Sequence, residues 1–183
     1  PVFLAHLVEL QFNTRDKWSA IMGSGGSARA ILAVLCMIPE RPDSIKIYNR
    51  TPERLDNLLE DLSARIDTSI VEPVASIDDL DIPRADLLIN ATSVGLKPED
   101  PGLVDADLIH PKLLVYDLVY NPPLTPLLKM AKARGARVAN GLGMLYYQGV
   151  LAFQRWANVL LDDDIKLKIR QALEKGVNQS TRS

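Results

Sequence analysis

The chain has 183 residues, of which 47% are hydrophobic and 24% charged, with 21 basic and 23 acidic side chains. This length is typical of one domain, and the hydrophobic fraction is ordinary for a globular protein. A net charge of −2 argues against a protein that binds nucleic acid or an anionic membrane, because both classes normally carry a basic excess. The longest apolar stretch, residues 30–38, is far below the roughly 18 residues of a membrane span. The single cysteine, Cys36, cannot form an internal disulfide, so we expect a cytoplasmic protein.

Short β-branched runs alternate with helical patterns along the chain, which predicts β-α-β units and a mostly parallel sheet. An amphipathic helix is predicted at residues 2–10, and a short buried strand at 18–22 leads through a glycine-rich loop into a helix at 28–38. A strand at 45–48 precedes a helix with Thr51 as its N-cap. The remaining predicted strands lie at 70–74, 87–90, 113–118 and 137–139. The remaining predicted helices lie at 124–134, 144–161 and 165–175.

The segment Gly-Ser-Gly-Gly-Ser at residues 23–27 joins the first strand to the helix that follows it. Glycines in this position allow a tight turn and let a pyrophosphate approach the free N–H groups at the start of the helix. The alternative is a glycine turn that merely connects a strand and a helix, since G-x-G patterns recur by chance. The loop alone supports both interpretations about equally.

The end of the second strand carries basic residues where an NAD-binding fold usually has a carboxylate for the ribose 2′-hydroxyl. Asn49, Arg50 and Thr51 occupy this place, and Arg54 follows one helical turn later. Guanidinium groups suit a 2′-phosphate, because they donate paired, charge-assisted hydrogen bonds. The alternative is a solvated helix N-terminus, but cations there oppose the helix dipole. We therefore expect binding of NADP in preference to NAD.

Several motifs, taken together, resemble those of the shikimate dehydrogenases and their quinate-using relatives. They are GSGGSARA at 23–30, NRT at 49–51, NATSVG at 90–95, DLVYNP at 117–122 and GLGMLYYQG at 141–149. Glutamyl-tRNA reductases share a similar glycine loop and Asn-Arg-Thr strand end, but not the late Gly-Leu-Gly-Met run. The resemblance covers about residues 1–175, and its specificity comes from the combination of motifs.

The resemblance implies an oxidoreductase that transfers hydride reversibly between NADP and the 3-position of shikimate or 3-dehydroshikimate, on the route to aromatic amino acids. It implies a Rossmann-like, doubly wound α/β fold for this chain, and a separate N-terminal domain that binds the substrate. By the same resemblance, the pyrophosphate is held by Gly23, Ser24, Gly25, Gly26 and Ser27. The 2′-phosphate is held by Asn49, Arg50 and Arg54, with Thr51 in the same cofactor site. The nicotinamide half is flanked by Thr92, Leu118 and Gly141.

Tyr120 and Gln148 match positions that reach substrate hydroxyls in the family. Tyr120 follows the fifth strand, so it should lie at the carboxyl edge of the sheet, where ligands bind. Gln148 lies four residues after Met144, a spacing that places both on one helical face. The alternatives are a tyrosine that only satisfies a backbone carbonyl and a glutamine that is solvated.

The sequence supplies no catalytic residue and no metal site. The family's catalytic lysine and aspartate belong to the N-terminal domain, whereas only 22 residues precede Gly23 here. Lys129 and Lys132 lie on a helix flank and are expected to be solvated, and His6 and His110 show no ligand spacing. We therefore expect this chain to be inactive by itself and to bind shikimate or quinate only together with the missing domain.

The expected organisation is a linker helix at 1–17, an NADP-binding Rossmann-like domain at 18–143, C-terminal helices at 144–176 and a frayed tail at 177–183. The first and last helices should pack against the substrate domain and, without it, expose apolar side chains that promote self-association. These side chains are Phe3, Leu4, Leu7, Tyr147, Leu151 and Phe153. Two other functions remain open: a quinate/shikimate dehydrogenase, and a non-catalytic NADP-binding regulatory or sensor protein.

Overall fold

The computed structural model describes residues 1–97 and 99–180, and in this part of the chain six parallel strands form one sheet. The strands are β1 (Trp18–Met22), β2 (Ser44–Tyr48), β3 (Val71–Val74), β4 (Leu87–Asn90), β5 (Leu114–Asp117) and β6 (Arg137–Asn140). Their order in the sheet is β3-β2-β1-β4-β5-β6. The register pairs Met22 with both Tyr48 and Asn90, and Asp117 with both Asn90 and Asn140. The carboxyl ends of these strands therefore form one edge of the sheet.

The described ranges contain six α-helices, of which α1 precedes the first strand and the others connect or follow strands. They are α1 (Val2–Glu9), α2 (Gly26–Met37), α3 (Pro52–Ser63), α4 (Pro126–Ala133), α5 (Leu142–Ala157) and α6 (Asp163–Ser180). Prolines begin α3 and α4, where the missing N–H has no helical partner to lose. The hydroxyl of Thr125 caps α4 by accepting from the Leu128 N–H. Thr51 stands in the predicted N-cap position of α3, but its side chain makes no capping hydrogen bond.

The core lies on both faces of the sheet, because β1, β4 and β5 are covered on each side. Side chains alternate between the two layers along each strand. On one face, Ile21, Ile47, Ile89 and Tyr116 pack against α1, α2 and α3. On the other, Met22, Leu88 and Val115 pack against Leu127 and Leu128 of α4. These two layers hold the strand ends, and hence the loops that follow them, in fixed positions.

Helix α1 is part of the core, which overturns the expected exposure of Phe3 and Leu7. Their exposed fractions are 2% and 1%, and Leu4 is half-buried. The Phe3 ring meets the Tyr116 ring edge-on, with 5.3 Å between centroids. The sequence prediction was wrong here because an amphipathic helix buries its apolar stripe against whichever surface lies nearest, and that surface is this sheet.

The bounds of the last two helices also differ from the predicted ones. Helix α5 ends at Ala157, because Asn158 adopts a left-handed backbone conformation with φ of 53°. Helix α6 runs from Asp163 to Ser180, beyond the predicted end at residue 175; residues 181–183 of the predicted frayed tail lie outside the described residues. Leu151 and Phe153 are exposed as predicted, and Tyr147 is half-buried. None of the described helices is both long enough and apolar enough to span a bilayer.

Candidate functional site

A cavity of about 450 Å³ opens at the carboxyl edge of the sheet, beside the ends of β1, β2 and β4. The sheet order reverses at β1, which has β2 on one side and β4 on the other. Open α/β sheets bind their ligands at such a switch point, because the loops on the two sides diverge and leave a crevice. The cavity is lined by Met22, Gly23, Ser24, Gly25, Tyr48, Asn49, Arg50, Arg54, Ile77, Ala91, Thr92, Ser93, Val94 and Leu103.

The loop after β1 needs glycine at Gly23 for reasons internal to the protein. Its backbone φ is +111°, a value that side-chain-bearing residues rarely adopt. A Cβ atom at this position would lie 2.7 Å from the carbonyl oxygen of Ala91. The Gly23 N–H donates to the Tyr48 carbonyl at 2.8 Å. Gly23 therefore bonds the end of β1 to the end of β2 and leaves room for the Ala91 backbone, which follows β4.

Gly25 and Gly26 face open space. Apart from the adjacent residues and the backbone of α2, a Cβ atom at either position would meet no atom of the described residues within 4 Å. Gly25 is the N-cap of α2, and neither a capping side chain nor an acidic residue satisfies the first turn of this helix. The unpaired N–H groups at a helix N-terminus attract an anion, and the absent side chains let it approach the backbone.

The basic wall of the cavity comes from the segment after β2. Arg50 and Arg54 both line the cavity, and neither forms an ion pair with any described residue. The Asn49 side-chain amide donates to the Thr51 carbonyl at 2.8 Å, which shapes the turn into α3. Among the described residues, none of the side chains that line the cavity is acidic. The two free guanidinium groups can therefore pair with a ligand's phosphate.

The loop after β4 forms the opposite wall and is organised by Asn90. The side-chain oxygen of this buried residue accepts from the Thr92 backbone N–H at 3.0 Å and from the Thr92 hydroxyl at 2.7 Å. Its amide nitrogen donates to the Val94 carbonyl at 3.0 Å and to the Asp117 carboxylate at 2.9 Å. Burial raises the pKa of Asp117, while hydrogen bonds from Thr125, Val119 and Asn90 act in the opposite direction.

The lining of the cavity does not include the residues predicted for the site after β5 and β6. A Cβ atom at Gly141 would overlap the Leu118 carbonyl, so these two residues are in close contact. Tyr120 follows on the same loop as Leu118, and its side chain is 39% exposed. Gln148 is exposed on α5, whereas Met144, which shares its helical face, is half-buried against the core.

The structure thus brings part of the predicted site together in one cavity. The members in its lining are Gly23, Ser24, Gly25, Asn49, Arg50, Arg54 and Thr92. Gly26 and Ser27 are the first two residues of α2, immediately after the glycine loop. Thr51 is the residue before α3. Ile77 and Leu103, which were not predicted, also line the cavity; both lie outside the sequence motifs. Tyr48, Ser93 and Val94 could have been found, since they adjoin predicted strand ends.

No protein-family model matches the chain, whereas individual known proteins do. The NADP-dependent shikimate dehydrogenase of Methanopyrus kandleri is 44% identical over 154 residues, which are 81% of this chain and 52% of that protein. The chain therefore spans about half the length of the curated relatives it matches.

Two solved structures of shikimate dehydrogenases have the same fold as this chain. Shikimate 5-dehydrogenase from Listeria monocytogenes, in complex with shikimate and NAD, matches with a TM-score of 0.78 and 30% identity, over 92% of this chain and 60% of that one. The Thermus thermophilus enzyme, in complex with NADP(H) and shikimate, matches with a TM-score of 0.75 and 31% identity, over 96% and 60%. These similarities and the sheet order confirm the predicted Rossmann-like α/β fold.

Proposed function

Because the chain belongs to the shikimate dehydrogenase family and spans about half the length of its curated relatives, we propose that it is the NADP-binding domain of a shikimate dehydrogenase-like oxidoreductase. One observation carries this proposal: the cavity at the switch point combines an open glycine loop with two unpaired guanidinium groups and no acidic lining. That combination fits a dinucleotide with a third phosphate on its adenosine ribose.

In the proposed complex the residues of this chain bind and orient the cofactor. The N–H groups at the start of α2 hold the pyrophosphate beside residues 23–27, and Arg50 and Arg54 pair with the 2′-phosphate beside Asn49 and Thr51. The nicotinamide half lies toward Thr92, Leu118 and Gly141. NADP supplies the hydride acceptor, and the substrate proposed for the whole protein is shikimate, with Tyr120 and Gln148 on this side of the substrate cleft.

We propose that the half of the protein that binds most of the substrate packs on the exposed apolar side chains of α5, α6 and their connection. Trp156 is 86% exposed and Leu160 is 92% exposed, and Leu151, Phe153, Ile165 and Leu167 are exposed on the same two helices. Exposed apolar surface of this kind favours association. In the absence of that half, we propose that these side chains drive self-association of the chain.

The proposed cofactor preference is tested with Arg50→Ala, titrated calorimetrically with NADP and with NAD. Since hydrogen bonds between charged groups contribute about 1.5–3 kcal/mol, we expect NADP affinity to fall by about tenfold or more. NAD lacks the 2′-phosphate, so its affinity should change by no more than about twofold. The matched control is Arg65→Ala, which removes an exposed guanidinium outside the cavity. Equal losses for the two cofactors, or no binding of either by the unaltered chain, would contradict the proposal.

A further inference from the structure

Asp117 is a buried carboxylate at the junction of three elements beside the cavity. It ends β5, is 0% exposed, and pairs in the sheet register with Asn90 at the end of β4. Its Oδ1 accepts from the Asn90 amide at 2.9 Å and from the Val119 backbone N–H at 3.0 Å. Its Oδ2 accepts from the Thr125 hydroxyl at 2.6 Å. A buried carboxylate is costly unless donors surround it, and these three donors meet that requirement.

The Asn90 side of this junction determines the position of the loop after β4. Asn90 is the residue that holds Thr92 and the Val94 carbonyl, and its amide is held by Asp117. The same loop also packs down on the junction, since a Cβ atom at Gly95 would lie 3.3 Å from the Thr125 side chain and 3.7 Å from Asp117 Oδ2. The glycine, with φ of +107°, permits this approach.

The β5 side of the junction determines the position of the loop that carries Leu118 and Tyr120. Asp117 holds the Val119 N–H, between those two residues, and Thr125 closes the same loop as the N-cap of α4. From β6, the Asn140 amide donates to the Pro123 carbonyl at 2.9 Å and the Gly141 N–H donates to the Val119 carbonyl at 3.3 Å. The loop is therefore tied down on both sides of Tyr120.

We propose that Asp117, acting through Asn90 and Thr125, is the positioning residue for the nicotinamide side of the cofactor site. It sets the distance between the loop of Thr92 and the loop of Leu118, and so the width of the slot between them. This inference rests on the proposed function. The adenosine side of the cofactor site does not depend on Asp117, because the Gly23 N–H donates to the Tyr48 carbonyl and the Asn49 amide donates to the Thr51 carbonyl. Loss of Asp117 should therefore affect one half of the ligand and spare the other.

The test compares adenosine 2′,5′-bisphosphate, which contains only the adenosine half, with NADPH. Calorimetry measures both affinities, and the fluorescence of bound NADPH reports how the dihydronicotinamide ring is held. For Asp117→Ala we expect the bisphosphate affinity to stay within about twofold and the NADPH affinity to fall about tenfold, with emission close to that of free NADPH. Asp117→Asn keeps an acceptor for Asn90 and Val119, so it should restore most of the NADPH affinity and the emission of the unaltered chain.

A second pair of variants covers the case in which Asp117→Ala does not fold. Thr125→Val removes only the hydroxyl that reaches Asp117 and caps α4, whereas Thr125→Ser retains it. The valine variant should lose NADPH affinity selectively and the serine variant should not.

Each outcome bears on one of the two proposals. Equal losses for both ligands, unchanged NADPH binding in a folded Asp117→Ala or Thr125→Val variant, or free-like NADPH emission in the unaltered chain would overturn the positioning role alone. Failure of the unaltered chain to bind either ligand would instead overturn the proposed function, and the positioning role with it.

Discussion

Two glycines in the loop after β1 meet different surroundings, although they lie only two positions apart in one motif. Gly23 is required by the backbone, because of its positive φ and the adjacent Ala91 carbonyl. Gly25 has an ordinary φ of −77° and open space where a side chain would stand. The fold therefore places no steric demand for glycine at this position, and the role proposed for Gly25 is contact with the cofactor.

Alanine substitutions separate these roles. Gly23→Ala should lower the free energy of unfolding by about 2–5 kcal/mol, since the left-handed conformation costs about 1–2 kcal/mol and the overlap about 1–3 kcal/mol. Gly25→Ala should change it by less than about 1 kcal/mol, yet weaken NADP binding because the methyl group occupies the proposed pyrophosphate position. Urea denaturation and calorimetry measure the two effects. A stable, NADP-binding Gly23→Ala variant would contradict the steric argument, and full NADP affinity in Gly25→Ala would contradict the pyrophosphate site.

Helix α1 is attached to the rest of the domain by a buried polar contact and an ion pair. His6 Nδ1 lies 2.5 Å from the hydroxyl of Tyr116 on β5, and a Cβ atom at Gly143 of α5 would overlap its ring. Glu9 accepts from the Tyr147 hydroxyl at 2.8 Å and pairs with Arg170 of α6. Burial lowers the pKa of His6, with Glu9 opposing this and Arg170 adding to it. The hydrogen bond from Arg170 holds the pKa of Glu9 below its usual range.

These shifts predict a pH-dependent stability. The folded pKa of His6 lies below the unfolded value of about 6.5, so the unfolded chain takes up a proton first as the pH falls. The contribution of neutral His6 is complete above about pH 6.5 and is lost as the pH falls toward the folded pKa. Glu9, with its lowered pKa, stays ionised over this interval. His6→Gln should therefore lose less stability than the unaltered chain between about pH 7.5 and pH 5.5.

Thermal unfolding at the two pH values measures this difference. The matched control is His110→Gln, since His110 contacts the Ala85 carbonyl and lies outside the attachment of α1. An equal decrease for the unaltered chain and His6→Gln would show that His6 does not carry the pH dependence. If His6→Gln and His110→Gln changed the pH dependence of unfolding equally, that dependence would not be specific to His6.

At the scale of the whole molecule, the apolar surface of α5, α6 and their connection should determine the association state of the chain. The double variant Trp156→Lys, Leu160→Lys places charges at its two most exposed positions, so it should lower the average mass seen by light scattering at high protein concentration. NADP affinity should not change, because neither residue lines the cavity.

The matched control for this prediction is Val8→Lys, at a 73% exposed apolar position on α1. It should leave the association state unchanged. A clean monomer of the unaltered chain at high concentration, or an equal effect of Val8→Lys, would argue against association through α5 and α6.

Much of the fold was predictable, because its signals are local. The bounds of β1 and β4 agree with prediction, since each is a short apolar run between breaking residues. The end of α5 was placed too late, because the apolar pattern continues past Asn158 to Leu161 and only the backbone turn at Asn158 ends the helix. The exposure of α1 was predicted wrongly for a similar reason, since periodicity shows an apolar face but not what covers it.

The amino-acid sequence by itself determined the order of strands and helices, the glycine loop and the basic residues after β2, because each depends on neighbours a few positions apart. The tertiary structure alone decided that His6 meets Tyr116 and that Asn90, Asp117 and Thr125 form one buried junction. These contacts join separate elements whose distance is set by sheet order and register. Hydrogen bonds act only over about 3 Å, so no pattern along the chain reveals them before the strands are aligned.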